Sequence, residues 1–474
     1  MIKRGQVIEV EIVEAAFGGN GIAKIPTEKG DYILFVPNTI VGQLVRARVV
    51  KRKNNYAECK LDTVLKKSHL EDELPYQPIS GAPFATLPIE IQKSSKQKQV
   101  LEVFKRIGKI NNIETLFDEY IASPEVWHYR NKMEYSFSAI GFDVEKQEEF
   151  DGFALGFKKR GTWWIVENLE KDSGIFDAAF ENNLKEIRVF CQNSGLPAWH
   201  PPKKVGFFRY LVVRKSYLTN KFLIKLVTSS DGLANFDFDG FVNLINALFP
   251  DRIIGILHTV NDDIGDNSQS RLGHETILYG QPYMLENLVR LNFEVSMQSF
   301  FQTNPKAAEL LYKKVIEYVL EDNKNIKEKT VMDLFCGTGT IGQIVASQTN
   351  ATVIGVDIVE DAIINAKQNA ERNNVENVQF FAADVNKFLY EYPEYVNKIG
   401  TLILDPPRAG IAKKALLRAL ELNADRIVYV SCNPATQARD ILEITAAGYQ
   451  LKKVSLVDQF PHTAHIESVA LFLK

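Results

Sequence analysis

Cys432 stands in VYVSCNPATQARD (428–440), directly after a short apolar run and directly before a helical pattern. A residue on the loop that follows a strand of an open α/β sheet faces the crevice where such sheets bind ligands. The amino end of the following helix is expected to lower the thiol pKa, and a thiolate is a nucleophile. That placement favours a nucleophile over the small buried hydrophobe that most cysteines are. Near the end of the chain, DQFPHTAHIES (458–468) gathers His462, His465 and Glu467 just before a last apolar run. Glu467 is the expected general base. The two histidines are read as orienting groups, and no metal site is expected from the three.

A cofactor site is written between these positions. DLFCGTGTIG (333–342) contains GxGxxG at Gly337, Gly339 and Gly342, after a strand pattern and before a helix pattern. Glycines there allow backbone to approach a ligand closely. Asp357 ends the next strand pattern, 20 residues after Gly337, where a carboxylate can accept from both ribose hydroxyls of a nucleoside. The set points to a nucleotide-like cofactor and leaves nicotinamide and S-adenosylmethionine both open. Asp384 follows the third strand pattern and suits either an adenine edge or a helix cap. Asp405 opens Asp405-Pro406-Pro407-Arg408, a turn that two prolines make stiff.

The elements that must position these groups follow from periodicity. Apolar runs at 331–335, 353–357, 378–381, 401–404, 427–430 and 469–473 alternate with helical stretches, so residues 286–474 are expected to be a mostly parallel, doubly wound α/β domain. Residues 1–67 show short alternating strands and a Gly18-Gly19-Asn20-Gly21 turn, as in a five-stranded OB-like β-barrel. Residues 68–285 are expected to hold a proline-rich linker, a helix at about 92–108 that packs on the α/β domain, and a central α+β, mostly β, domain.

Composition bounds the reading. The chain has 474 residues with 45% hydrophobic and 24% charged positions and a net charge of −3, typical of a globular protein. Residues 1–67 hold 12 Lys and Arg against 7 Asp and Glu, so the remainder carries a net −8. A basic front module suggests contact with nucleic acid. Cys59, Cys191, Cys336 and Cys432 form no CxxC, which argues against a local zinc site, an iron–sulfur ligand run or a disulfide framework. No apolar run is long enough to cross a membrane and the first residues lack a secretory pattern, so a cytoplasmic protein is expected.

SFFQTNP (299–305), DLFCGTGTIG, GVDIVEDAI (355–363), LDPPRAG (404–410), SCNPATQARD (431–440) and FPHTAHIE (460–467) occur in this order. Together they resemble the S-adenosylmethionine-dependent RNA uracil-5-methyltransferases of 23S rRNA and tRNA. YRNK (129–132) also looks like a segment of that family, and residues 1–67 resemble its TRAM barrel. The resemblance implies a Rossmann-like methyltransferase domain in which Cys432 is the nucleophile and Glu467 the base. It implies cofactor contacts at Gln302, Phe335, Gly337, Thr340, Asp357, Asp384 and Asp405. Many relatives have Asn at the position of Thr340 and Glu at that of Asp357. Some rRNA enzymes of the family carry a four-cysteine iron–sulfur cluster; residues 70–87 contain no cysteine, and no cluster is expected.

RNA is the implied partner, with Arg46, Arg48, Lys51, Arg52, Lys53, Arg130 and Lys132 as phosphate contacts; Trp163, Trp164 and Phe208 could stack on bases, with core packing the favoured role for each. The barrel points to 23S rRNA, with tRNA the alternative, and a monomer is expected. An oxidoreductase using the same glycine loop, or a non-catalytic RNA-binding protein, leaves Cys432, Glu467 and Asp405 unexplained.

Overall fold

The computed structural model describes residues 2–28, 30–268, 273, 275–321 and 329–474. The first six strands are β1 (Val7–Glu11), β2 (Glu14–Ala16), β3 (Asn20–Thr27), β4 (Gly30–Pro37), β5 (Leu44–Arg52) and β6 (Tyr56–Lys66). They form one sheet in the order β1-β5-β6-β4-β3-β2. Strand β5 alternates as its sequence requires: Val45, Ala47 and Val49 enter the core while Arg46 and Arg48 face out. Six strands replace the expected five because β2 has three residues, too few to show a period of two.

The helix expected at about 92–108 and a short strand after it, which was not expected, belong to the catalytic unit. Helix α1 (Ile89–Arg106), helix α2 (Ile113–Leu116) and strand β7 (Phe117–Ile121) join the catalytic unit, not the central one. Strand β7 pairs in parallel with an edge strand of the large sheet, and α1 packs Val100 and Phe104 into that sheet's core. A five-residue edge strand half open to solvent carries little alternation, so its sequence does not announce it.

The central domain is a seven-stranded sheet of β8 (Lys132–Asp143), β9 (Glu148–Lys158), β10 (Val166–Asn168), β11 (Phe208–Lys215), β12 (Phe222–Thr228), β13 (Ile253–Val260) and β14 (Glu275–Gly280). Helices α3 (Ala178–Asn182), α4 (Leu184–Asn193) and α5 (Phe238–Leu248) cover it. Its core is aromatic, built on Tyr135, Phe137, Phe176, Phe180, Phe208 and Phe222. Phe208 is fully buried there, which removes it as a base platform, whereas Trp163 is exposed.

A hairpin of β15 (Tyr283–Leu288) and β16 (Leu291–Ser296) packs with helix α6 (Pro305–Leu320) in one of the two cores of the catalytic domain. The catalytic sheet follows: β17 (Thr330–Leu334), α7 (Thr340–Thr349), β18 (Val353–Asp357), α8 (Glu360–Arg372), β19 (Val378–Ala382), α9 (Val385–Glu391), β20 (Ile399–Leu404), α10 (Lys413–Leu420), β21 (Arg426–Ser431), α11 (Pro434–Ala446), β22 (Gln450–Val457) and β23 (Glu467–Leu473). Its strand order is β19-β18-β17-β20-β21-β23-β22-β7. Strands β17 to β21 are parallel and β23 runs against β21. The order reverses between β17 and β20, so the ligand crevice lies at their carboxyl ends.

Candidate functional site

Strand register brings Cys432 and Glu467 together. In the β21–β23 ladder Ser431 stands opposite Ser468. Continuing that antiparallel register one step sets Cys432 across from Glu467. Ser468 Oγ donates to the Ser431 carbonyl at 3.3 Å and to Gln437 Oε1 at 2.7 Å, which locks the pair of strands at this end. Both residues line a cleft of about 580 Å³ together with Gln302, Phe335, Gly337, Thr340 and Asp405. Asp357 and Asp384 are not in its lining. Asp357 accepts from the Gly337 and Val359 N–H groups, each at 2.9 Å, and so anchors the glycine loop. Asp384 is exposed and accepts from the Lys387 N–H, capping α9.

The electrostatics correct one expectation. Burial, together with Glu467 and Asp405, pushes the Cys432 thiol up to about 11, against a smaller opposing influence of Arg408. Two nearby carboxyl groups and an enclosed position outweigh the helix dipole. Burial lifts Asp405 to about 7, and burial with Asp405 lifts Glu467 to about 8. Cys336 also touches the cleft, but a Cβ on Gly355 would lie 3.1 Å from its Sγ, so that thiol turns back under β18. Burial and the nearby Asp333 and Asp357 hold it well above the usual thiol range. Both thiols are half-buried at the cleft, and Cys432 is the one whose strand pairing sets it across from Glu467.

The glycine loop is shaped for a close ligand. Gly337 has φ +53° and a Cβ there would meet nothing within 4 Å; Gly339 has φ +70° and a Cβ there would strike the Phe380 ring at 2.4 Å. Phe335, a bulky residue, also takes a left-handed φ of 65°, a strained conformation typical of functional loops. Beneath the loop Asp333 is fully buried, and the Gly342 N–H bears on its carboxyl group. Open glycines, this buried carboxyl group and the Gln302 amide fit a ligand that carries hydroxyl, amino and cationic groups. Sequence reasoning missed Tyr312, which lines the cleft from α6 and is hydrogen-bonded by Gln302. It sits inside a regular helix with no local motif to mark it.

The loop that delivers Glu467 is held from several sides. Lys96 Nζ donates to Asp458 Oδ1 at 2.8 Å and to the Phe460 carbonyl at 3.1 Å, and Tyr120 donates to Asp458 Oδ2 at 2.8 Å. Asn304 donates to the Gln459 carbonyl and Tyr129 to that of Pro461. His462 stacks on Trp127 with ring centroids 3.7 Å apart. Its Nε2 donates to the Val126 carbonyl at 2.8 Å, which leaves Nδ1 to accept from Gln92 at 3.1 Å. Burial lowers its pKa to about 4, so it is a neutral brace. His465 lines the cleft, and its Nδ1 accepts from Arg408 at 3.3 Å. Lys96 and Asp458 are both nearly buried. Lys96→Met strands the buried Asp458 charge and is expected to cost about 3–5 kcal/mol, read as a lower urea midpoint. Activity should fall with it as the loop loosens.

Three of the basic residues expected to meet RNA from the front module are paired with acids. Arg46 bonds Glu9 at 2.7 Å, Arg48 bonds Asp62 at 3.1 Å and Lys51 bonds Glu58 at 3.1 Å, all exposed. That part of the barrel face is therefore mixed in charge, because these three cations of β5 each meet an acid on a neighbouring strand. Arg52, the last residue of β5, and Lys53 after it are exposed. Arg130 lines the cleft, and Lys132 pairs with Glu134 at 2.7 Å.

A glycine loop opening at the switch point of a doubly wound sheet, behind a small β-barrel, defines a Rossmann-like S-adenosylmethionine-dependent methyltransferase fused to a TRAM module. The family described as tRNA (Uracil-5-)-methyltransferase matches residues 270–474, and the TRAM domain matches residues 2–61. The chain is 36% identical to an uncharacterized RNA methyltransferase of Clostridium acetobutylicum, over 99% of this chain and 98% of that one. It is 37% identical to one of Caldanaerobacter subterraneus, over 99% of each. The fold is that of the Pyrococcus abyssi tRNA (uracil-54, C5)-methyltransferase, solved with S-adenosyl-L-homocysteine: TM-score 0.69 at 24% identity, covering 98% of this chain and 100% of that one. The chain belongs to the TRAM-containing RNA uracil-5-methyltransferases and is an S-adenosylmethionine-dependent enzyme. Among the described residues no helix is long and apolar enough to cross a membrane, and no three or more His, Cys, Asp or Glu side chains are grouped to hold a metal ion.

Proposed function

We propose that the enzyme methylates carbon 5 of a uridine in tRNA, with Cys432 as nucleophile and Glu467 as general base. The observation that carries the chemistry is the register that seats Cys432 beside Glu467 at the cleft wall. Gln302, Phe335, Gly337, Thr340 and Asp405 would hold S-adenosylmethionine, with Asp357 fixing the loop. When bound, the cofactor supplies an electrophilic methyl group on a sulfonium.

Carbon 5 of uracil is a poor nucleophile. Once the Cys432 thiol has given its proton to solvent, Sγ bonds to carbon 6 and the C5–C6 π pair becomes an enolate, with Arg408 and Arg130 the cations that line the cleft. Carbon 5 of that enolate would accept the methyl group that the cofactor supplies. Glu467 then removes the proton on carbon 5, the C5–C6 double bond re-forms, and the Cys432 thiolate leaves. The target base must leave its stack to reach such a cleft.

The substrate reading moves from 23S rRNA to tRNA. A barrel does not separate the two, because the Pyrococcus abyssi tRNA enzyme aligns over nearly this whole chain, barrel included. The description of the matching family also names tRNA. The test is methyl transfer from labelled S-adenosylmethionine to unmodified tRNA and 23S rRNA transcripts, with product nucleosides identified by mass spectrometry. We expect 5-methyluridine in tRNA. Product in 23S rRNA alone overturns the substrate, and no 5-methyluridine in either RNA, despite cofactor binding, overturns the uracil assignment.

A further inference from the structure

We propose that a second cavity beside the catalytic cleft is a subsite for the phosphate of the nucleotide adjoining the target uridine. The proposal rests on the RNA-methylation reading above. The cavity encloses about 560 Å³ between the central sheet and the start of the catalytic domain. It shares Arg130, Phe300, Phe301 and Thr303 with the cleft, so the two volumes meet along one wall. Phe300 is 68% exposed, an apolar side chain standing free where the volumes meet.

Charge chooses the occupant. Arg130, Lys132 and Arg214 line this cavity against one carboxylate, Glu134. Glu134 is already engaged by Lys132 at 2.7 Å and by the Ser268 hydroxyl at 2.8 Å. Arg214 is the decisive group. It is 1% exposed and its Nη2 donates to the Ser299 carbonyl, yet its Nε and Nη1 have no hydrogen-bond partner among the described residues. Glu134 and Glu286 act on it through space without bonding it. An enclosed guanidinium with idle donors is costly, and native proteins keep few such groups without a reason. An anion in the cavity supplies the missing charge. A polymer that places one base in the cleft carries a phosphate on each side of that nucleotide, and Arg is well suited to bind it.

The test uses the full-length enzyme and a short RNA hairpin with one loop uridine. The hairpin is made natural, with a neutral methylphosphonate at either linkage flanking the uridine, or with one at a remote linkage. Binding is read by fluorescence anisotropy, independently of turnover. One flanking methylphosphonate is expected to weaken wild-type binding roughly tenfold, and the remote one to have little effect. In Lys132→Gln/Glu134→Gln, which removes a cation without stranding its partner, that penalty should shrink. Arg214→Lys, which keeps the charge but loses the planar fork, should shrink it further. Equal flanking penalties in wild type and both variants, or none in wild type, overturn the subsite. Failure of the function reading looks different: wild type then binds the hairpins and discriminates among linkages but forms no 5-methyluridine.

Discussion

Cys432→Ala is expected to lower 5-methyluridine formation by at least about 10⁴-fold in kcat, because the reaction has no other route to an enolate at carbon 5. Fold and cofactor binding should survive. The thiol is partly exposed at the cleft wall, so alanine leaves a gap that opens to the cleft rather than a void in the core. Such substitutions usually cost about 1 kcal/mol or less. The result is checked by single-turnover methyl transfer, alongside thermal unfolding with and without S-adenosylmethionine. RNA containing 5-fluorouridine sharpens it. Fluorine in place of the proton on carbon 5 blocks the last step, so wild type should remain joined to that RNA on a denaturing gel while Cys432→Ala does not. Alkylation supplies an independent reading of the thiol. With its pKa lifted to about 11 by burial and by Glu467 and Asp405, Cys432 should react slowly with iodoacetamide at neutral pH and faster as pH rises.

What could be read from the chain was what the strand ends carry. Cys432, Asp405, Asp357 and the glycine loop each follow an apolar run directly, and in a doubly wound sheet that position alone assigns them to one crevice. Glu467 was legible for a related reason, since it opens the last strand. Quantities set by distant neighbours were not legible. The direction of the Cys432 shift depends on two carboxyl groups 27 and 35 residues away in the chain. Arg46, Arg48 and Lys51 look like a basic run, but Glu9, Asp62 and Glu58 reach them only through strand pairing. Strand β7 lies more than 200 residues before the sheet it completes, and no local period encodes such a pairing. Arg214 reads as one residue of a buried strand, and its idle donors appear only once three segments are packed around it.

Glu467→Gln should stop the reaction one step later than Cys432→Ala does, and the difference is measurable. A glutamine cannot accept the proton on carbon 5, so the methylated base should stay bonded to Cys432. A fall of about 10²–10⁴-fold in turnover is expected, with protein–RNA adduct accumulating from ordinary uridine RNA, where wild type shows little. Absence of adduct together with lost turnover would move the role of Glu467 to an earlier step. The pH dependence follows from the same carboxyl group. Burial and Asp405 raise it from near 4.5 to about 8, so it is mostly protonated at pH 7 and becomes a base as pH rises. When proton removal limits turnover, with Cys432 already bonded to the base, kcat should therefore climb roughly tenfold per pH unit below 8 and level above it. Glu467→Gln should lose that limb. Stability moves the other way. The folded state holds this proton more tightly than the unfolded chain does, so wild type loses stability as pH climbs from about 4.5 to 8. Glutamine has no charge to bury, and the variant should be at least as stable as wild type at pH 8. A variant that melts later yet turns over far more slowly cannot owe its defect to unfolding, which leaves proton removal as the function of the side chain.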